Sequence, residues 1–246
     1  MIAHQRLDRI VETVSRNGAA TVPELAESFG ISESTIRRDL DKLDSAGLLV
    51  KVHGGAVCLE DEHVRRELTI GERASLHADE KVRIARYAAS LIGPEDLVYI
   101  DAGTTCRVLA DFVEEHRATY VTDSLDTALA LSSRGFKVVA LGGEVKPATG
   151  AAVGPEAVDT LSRYHFTLGF WGSNGVSLEQ GLTTPERLEA QVKRLSMERC
   201  ARPFVLADHT KFGRAGAVTF AALGAATILT DEVPAGWQDV SNVQAV

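Results

Sequence analysis

Cysteine is scarce in this chain of 246 residues: Cys58, Cys106 and Cys200 are the three it has, odd in number and far apart. No two of them make a CxxC pair, which excludes a disulfide framework and gives no zinc-ligand spacing. They read as small, buried or partly buried thiols in a reducing compartment. Long apolar runs are lacking as well, and none approaches the ~20 residues that span a bilayer. The opening MIAHQRLDRI has no basic region followed by an apolar core. No secretory signal is therefore expected, and a cytoplasmic location is. Enzyme signatures are missing too. There is no HExxH, no GxxxxGK[ST] and no GxSxG; Gly175-Val-Ser177-Leu-Glu179 lacks the second glycine. Neither a cofactor nor a resident metal is expected.

What is present is the composition of a water-soluble globular protein, with 45% hydrophobic and 24% charged residues. The net charge is -8, unevenly distributed. Residues 1–57 carry seven Lys/Arg against eight Asp/Glu; the rest carry 19 against 26. The first segment is thus near neutral, and its basic groups are bunched late, which is compatible with a local basic patch on an acidic protein.

Within 1–57, Leu7, Ile10, Val11 and Val14 repeat at i, i+3, i+4 and i+7 and predict a helix. Asn17-Gly18 ends it. Thr21-Val-Pro-Glu24 then has the form of a capping box with proline in the first turn. Leu25, Ala26 and Phe29 give the following short helix an apolar face, Gly30 breaks it, and Ile31 pins the turn. Ser32 caps a third helix running to about Ala46, with Gly47 as its stop. On that helix Ile36, Leu40 and Leu43 share one side, which leaves Ser34, Arg37, Arg38 and Asp41 outward or on the flank. Leu48–Val52 reads as a strand, and His53-Gly-Gly-Ala as a tight turn. The order is that of a helix-turn-helix with a β wing. Ser34, Thr35, Arg37 and Arg38 are candidates for bases and phosphates in a major groove, Lys51 and His53 for the backbone or groove edge. The bland alternative is a solvated face whose arginines pair with Asp39 and Asp41.

SESTIRRDLDKLDSAGLLVKVHGGA (32–56) resembles the signature of the DeoR family of bacterial transcriptional regulators: Ile31, the Ser32 cap, Thr35 to Leu40, and His53 to Ala56 stand in family order. Lys51 departs from it, since family members often have arginine there. A point charge then replaces a planar fork.

Residues 58–75 read as a linker. A helix follows from Leu76 to Ile92, with Val82, Ala85, Ala89 and Ile92 on one face. Beyond Gly93-Pro94 the pattern becomes short apolar runs: 97–100, 119–122, 137–141, 167–171, 203–207 and 227–230. Helices fit near 104–115, 124–133, 154–163 and 185–200. Alternation of this kind predicts a Rossmann-like, mainly parallel α/β domain over 76–246 behind the small winged helix-turn-helix domain. Such sheets bind ligands at the carboxyl ends of their strands. At those ends stand Asp101, Gly103, Thr104 and Thr105, then Asp123, Gly142 and Gly143, Asn174, and Asp208 with Lys211. Gly103-Thr104-Thr105 opens a helix, whose free N–H groups suit a phosphate. The alternative is that a threonine merely caps it. Lys211 either serves the same anion or is a solvated surface lysine.

DAGTT, LGG, GSNG, a TT-containing loop and LADHTKFG are similar to the sensor domain of the same family, so the resemblance covers nearly all of 1–235. It implies a fold like ribose-5-phosphate isomerase and a response to phosphorylated sugars or similar metabolites. It also implies ligand contacts from Asp101, Gly103, Thr104, Thr105, Asn174, Asp208 and Lys211. Asp123 departs, asparagine being common there. A carboxylate would repel a phosphate, so Asp123 is expected to accept bonds from sugar hydroxyls. The expected protein is not an enzyme. It is a repressor of a carbohydrate operon that binds a double-stranded DNA operator as a homo-oligomer, dimer or tetramer, away from membranes, under control of a phosphorylated sugar.

Overall fold

The computed structural model describes residues 6–7, 9–11, 13–14, 19–45, 48–52, 54–57, 73 and 75–246, the side chains of Ser45 and Val57 excepted. The chain divides into two compact units, Met1–Arg66 and Glu67–Val246.

In the first unit Leu7, Ile10, Val11 and Val14 are helical, as their spacing predicts. β1 (Ala19–Thr21), which the sequence does not announce, precedes α1 (Val22–Phe29) and α2 (Glu33–Ser45), and β2 (Val50–Val52) and β3 (Gly55–Val57) follow. Thr21 and Glu24 form the predicted capping box, and Gly30 ends α1 in the left-handed region. Ser32 Oγ accepts the Thr35 N–H at 3.4 Å as the cap of α2. The wing is a three-stranded sheet in the order β1-β3-β2. At Gly55 a Cβ would lie 2.4 Å from the Ala20 carbonyl oxygen, so β3 can approach β1 only because that residue is glycine. Ile10, Val14, Leu25, Ile36, Leu40, Leu43 and Leu49 make the core.

The second unit is built on α3 (Ala78–Ser90), β4 (Leu97–Ile100), α4 (Thr104–Phe112), β5 (Thr119–Thr122), α5 (Leu125–Ser133), β6 (Lys137–Ala140), β7 (Glu144–Val145), β8 (Ala152–Val153), α6 (Pro155–Leu161), β9 (Leu168–Gly172), β10 (Gly175–Ser177), β11 (Gly181–Thr184), α7 (Arg187–Glu198), β12 (Pro203–Leu206), β13 (Val218–Ala221), β14 (Thr227–Thr230) and β15 (Val243–Ala245). Seven strands make one parallel sheet in the order β15-β14-β12-β9-β4-β5-β6. Strand alternation separates two cores. Tyr99, Val121, Trp171, Val205 and Ile228 face α6 and α7. Val98, Ile100, Tyr120, Phe170 and Leu206 face α3 and α4. β10-β11-β13 and β7-β8 are small antiparallel additions beside the strand ends.

α3 corrects one expectation. Its buried residues are Lys81, Ile84, Ala85 and Ala88, whereas the apolar periodicity had favoured Val82, Ala85, Ala89 and Ile92. The helix is turned so that a lysine goes inward.

Candidate functional site

The exposed side of α2 carries Ser34, Arg37 and Arg38, while Ile36, Leu40 and Leu43 are buried. The arginines are not neutralised by the aspartates beside them. Asp39 turns inward and accepts from Arg6 Nε at 2.6 Å. Asp41 is the partner of the Lys51 ammonium, and Asp44 accepts the Lys51 backbone N–H at 3.0 Å. Arg37 bonds Glu33 at 2.6 Å, four residues back, with both side chains in solvent. An exposed pair of this kind is worth only ~0.3–0.5 kcal/mol, so it yields easily to a phosphate. Arg38 makes no hydrogen bond or ion pair among the described residues. Ser34 Oγ and Thr35 Oγ1 each lie 3.0 Å from Ser32 Oγ, at the first turn of α2. Lys51 is thus tied to the second half of α2. His53, the remaining candidate of this group, lies outside the described residues.

The candidate ligand residues of the second unit all lie at the carboxyl ends of the parallel strands: Asp101 after β4, Asp123 after β5, Gly142 after β6, Asn174 after β9, Asp208 after β12. β4 is the first strand in sequence. From it the sheet runs one way to β5 and β6 and the other way to β9, so the strand order reverses between β4 and β9. Such a point leaves a crevice. Asp101 spans it, Oδ2 accepting the Gly172 N–H at 2.9 Å. The same oxygen takes the ammonium of Lys193, which also donates to the Gly172 carbonyl at 3.2 Å.

This Asp101–Lys193 pair is fully buried. Burial pushes the Lys193 pKa down, but Asp101 and Glu189 more than reverse it, and the ammonium stays charged. Asp101 is the carboxylate that answers it. Asp123 is the neighbouring acid, its Oδ1 accepting the Ala102 N–H at 2.9 Å. Burial first, and repulsion from Asp101 next, raise its pKa to about 8. Burial also raises the Asp101 pKa, against Lys193 and the Gly172 N–H, which lower it.

The first turn of α4 is open. Its N-cap is Gly103, with no side-chain cap, so the capping alternative for Thr104 and Thr105 does not hold. Neither hydroxyl makes a hydrogen bond among the described residues. A Cβ placed on Gly103 or on Gly142 would meet nothing within 4 Å. Gly143 has a different reason to be glycine. At φ +134° its Cβ would fall 2.4 Å from the Val153 carbonyl oxygen, so the residue serves the β7–β8 pairing.

Asn174 Oδ1 accepts from Thr184 Oγ1 at 3.3 Å. Beyond it Glu189 accepts from Thr149 Oγ1 at 2.7 Å and pairs with Lys146 at 3.3 Å. Asp208 Oδ1 takes the Thr210 N–H at 3.1 Å, and its Oδ2 lies 3.9 Å from Lys211 Nζ. Burial raises the Asp208 pKa, but Lys211 and the Thr210 hydroxyl outweigh it, and the group is charged. The sequence did not single out Lys81, Glu189 or Lys193. On α7 a signal existed: Glu189, Lys193 and Ser196 fall at i, i+4 and i+7, a polar stripe on the side that also carries Ala190 and Met197. Among the described residues no group of three His, Cys, Asp or Glu side chains is placed to hold a metal ion.

A family model described as "DeoR-like helix-turn-helix domain" matches residues 6–62, and one described as "DeoR C terminal sensor domain" matches 76–232. The uncharacterized HTH-type transcriptional regulator FruR of Bacillus subtilis (strain 168) is 37% identical over 94% of this chain and 92% of its own length. The lactose phosphotransferase system repressor of Staphylococcus aureus (strain N315) is 32% identical over 100% of this chain and 97% of its own. Among solved structures, ribose 5 phosphate isomerase A from Neisseria gonorrhoeae superposes with TM-score 0.40 and 15% identity, over 55% of this chain and 53% of that one. The translation initiation factor eIF-2B of Pyrococcus horikoshii OT3 gives TM-score 0.43 and 11% identity, over 87% and 74%.

Proposed function

The chain belongs to the DeoR family of helix-turn-helix transcriptional regulators, and from that premise we propose that it represses a carbohydrate-metabolism operon and is released by a phosphorylated sugar. Residues 1–57 bind the double-stranded operator. Ser34, Thr35, Arg37 and Arg38 meet bases and phosphates, with Lys51 and His53 at the groove edge. Residues 58–75 link this domain to 76–246, which bind the effector and associate with other copies in the cytoplasm. No helix among the described residues is long and apolar enough to cross a membrane.

One observation carries the effector reading. The first turn of α4 has no cap, two unbonded threonine hydroxyls and open space in front of Gly103. Free N–H groups, a positive dipole end and hydroxyl donors together suit a dianionic phosphate. Lys211 supplies a cation. Asp101, Asp123, Asn174 and Asp208 surround the sugar, and Asp123 accepts bonds from its hydroxyls. Gly142 leaves room for it. The effector controls DNA affinity only through its unequal affinity for two arrangements of the oligomer, on the order of 1–3 kcal/mol.

A gel-shift titration of promoter DNA with purified protein tests this. Binding should weaken with rising salt and be reversed by a sugar phosphate. Turnover of a sugar phosphate, with DNA binding indifferent to every such compound, would contradict the reading.

A further inference from the structure

Lys81 is the one lysine of α3, and it is buried. A buried ammonium needs its donors met. Lys81 Nζ donates to one acceptor, the backbone carbonyl of Arg73, and makes no other hydrogen bond among the described residues. Its electrostatic neighbours are Lys211, which repels it, and Asp208, which attracts it; Arg73 and Glu80 act more weakly. Asp208 thus faces the field of both ammoniums, and its Oδ2 is itself buried without a hydrogen bond. Of its three N–H donors, the Lys81 ammonium uses one on a described acceptor.

The beginning of α3 is fixed over the strand-end residues by several contacts. The His77 ring meets the His209 ring edge-on at 5.8 Å. Arg83 reaches Asp231 at 3.7 Å, and Asp231 holds His209 Nδ1 at 2.7 Å. Further along, Ile84, Ala85 and Ala88 share a core with Cys106, Leu109 and Ala110 of α4. α3 thus joins the Asp208–Lys211 turn to the helix whose first turn is open. His77 itself takes φ +51°, a conformation unusual for a residue with a side chain.

We propose that Lys81 is a phosphate-binding residue of the effector site, acting with Lys211, and that it gives up the Arg73 carbonyl when a phosphate monoester arrives. This rests on reading the strand ends as the effector site. The phosphate supplies the acceptors that Lys81 lacks and offsets the repulsion between the two ammoniums. Burial, with Lys211 beside it, lowers the Lys81 pKa to about 8, and a dianion at that place restores the charged form.

The test uses full-length protein and isothermal titration with inorganic phosphate and a panel of pentose and hexose monophosphates. Lys81→Met and Lys81→Gln should each weaken the best-bound phosphate compound about tenfold or more, as expected for a lost charge-assisted contact. Thermal unfolding confirms that the variants fold, and Lys81→Gln retains a hydrogen-bond donor should Lys81→Met fail to. Hydrogen exchange of the peptide covering 73–81 should change on ligand addition in the parent protein and not in the variants. If Thr104→Val abolishes binding while both Lys81 variants bind as the parent does, the effector site stands and Lys81 has no part in it. A lowered melting temperature with unchanged affinity likewise makes Lys81 purely structural. If no phosphate compound binds the parent protein, the effector-site reading falls, and this proposal with it.

Discussion

Replacing Arg38 with alanine removes an exposed cation of α2 that no described neighbour holds. Its guanidinium has no hydrogen-bond or ion-pair partner among the described residues. Its loss should therefore leave the folded protein's stability within ~0.5 kcal/mol of the parent, as for an ordinary surface substitution. The whole effect should fall on DNA. A base contact by arginine is worth ~1–3 kcal/mol, about five- to 150-fold in affinity. Arg37 provides an internal comparison. It must first leave Glu33, 2.6 Å away in solvent, at a cost of ~0.3–0.5 kcal/mol, which is about twofold. Arg37→Ala should accordingly weaken promoter binding less than Arg38→Ala. Glu33→Gln, which frees Arg37 and removes a negative charge from the face, should tighten binding about twofold. The assay is fluorescence anisotropy of a labelled promoter duplex and a scrambled duplex at two salt concentrations. Arg38→Ala should lose discrimination between the two duplexes, whereas a pure phosphate contact would lower affinity for both and reduce the salt slope by ~1. Parent-like affinity and discrimination in Arg38→Ala would remove Arg38 from the interface.

Other outcomes follow from the buried charges of the sensor unit. Asp101→Ala strands the Lys193 ammonium, fully buried, and should destabilise the unit by ~3–5 kcal/mol, read by calorimetry. The double variant Asp101→Leu with Lys193→Met should recover much of that loss; no recovery would mean the pair is not the cause. His209 gives a pH dependence. Burial pushes its pKa down, but the hydrogen bond to Asp231 and nearby carboxylates outweigh it, so the folded value lies above the ordinary 6.5. The stabilisation is complete below pH 6.5 and fades as pH rises through the folded value. Unfolding midpoints across that range should fall in the parent relative to His209→Asn, and an NMR titration of His209 below 6.5 would refute it.

Much of the fold was legible because apolar pattern and cap chemistry agreed. The Thr21–Glu24 capping box, the Gly30 stop and the Ile36–Leu40–Leu43 face recur in the structure. So do the six apolar runs, now β4, β5, β6, β9, β12 and β14. The antiparallel additions were not legible. Gly181–Thr184 is buried at every position, but its glycine and threonines carry no alternation, and Thr183 is satisfied locally by the Gly175 carbonyl at 3.0 Å. β1 and β15 are three-residue strands, too short for a period. At the candidate site, the glycines and hydroxyls named from the sequence do stand at the strand ends. The inward lysines did not show, since Lys81 and Lys193 look like solvent-facing positions until a carboxylate or carbonyl from a distant segment meets them. The upward pKa shifts of Asp101 and Asp123 come first from burial, which no local pattern reveals.

The central claim is that a phosphorylated sugar at the first turn of α4 governs the grip of α2 on DNA. The direct measurement is anisotropy of the promoter complex while sugar monophosphates are titrated in, for the parent and for a Thr104→Val, Thr105→Val double variant. One compound should release the parent, and the variant should bind the same DNA yet need far more of that compound. Release of both proteins at equal concentrations, or of neither by any phosphate compound, would contradict the account.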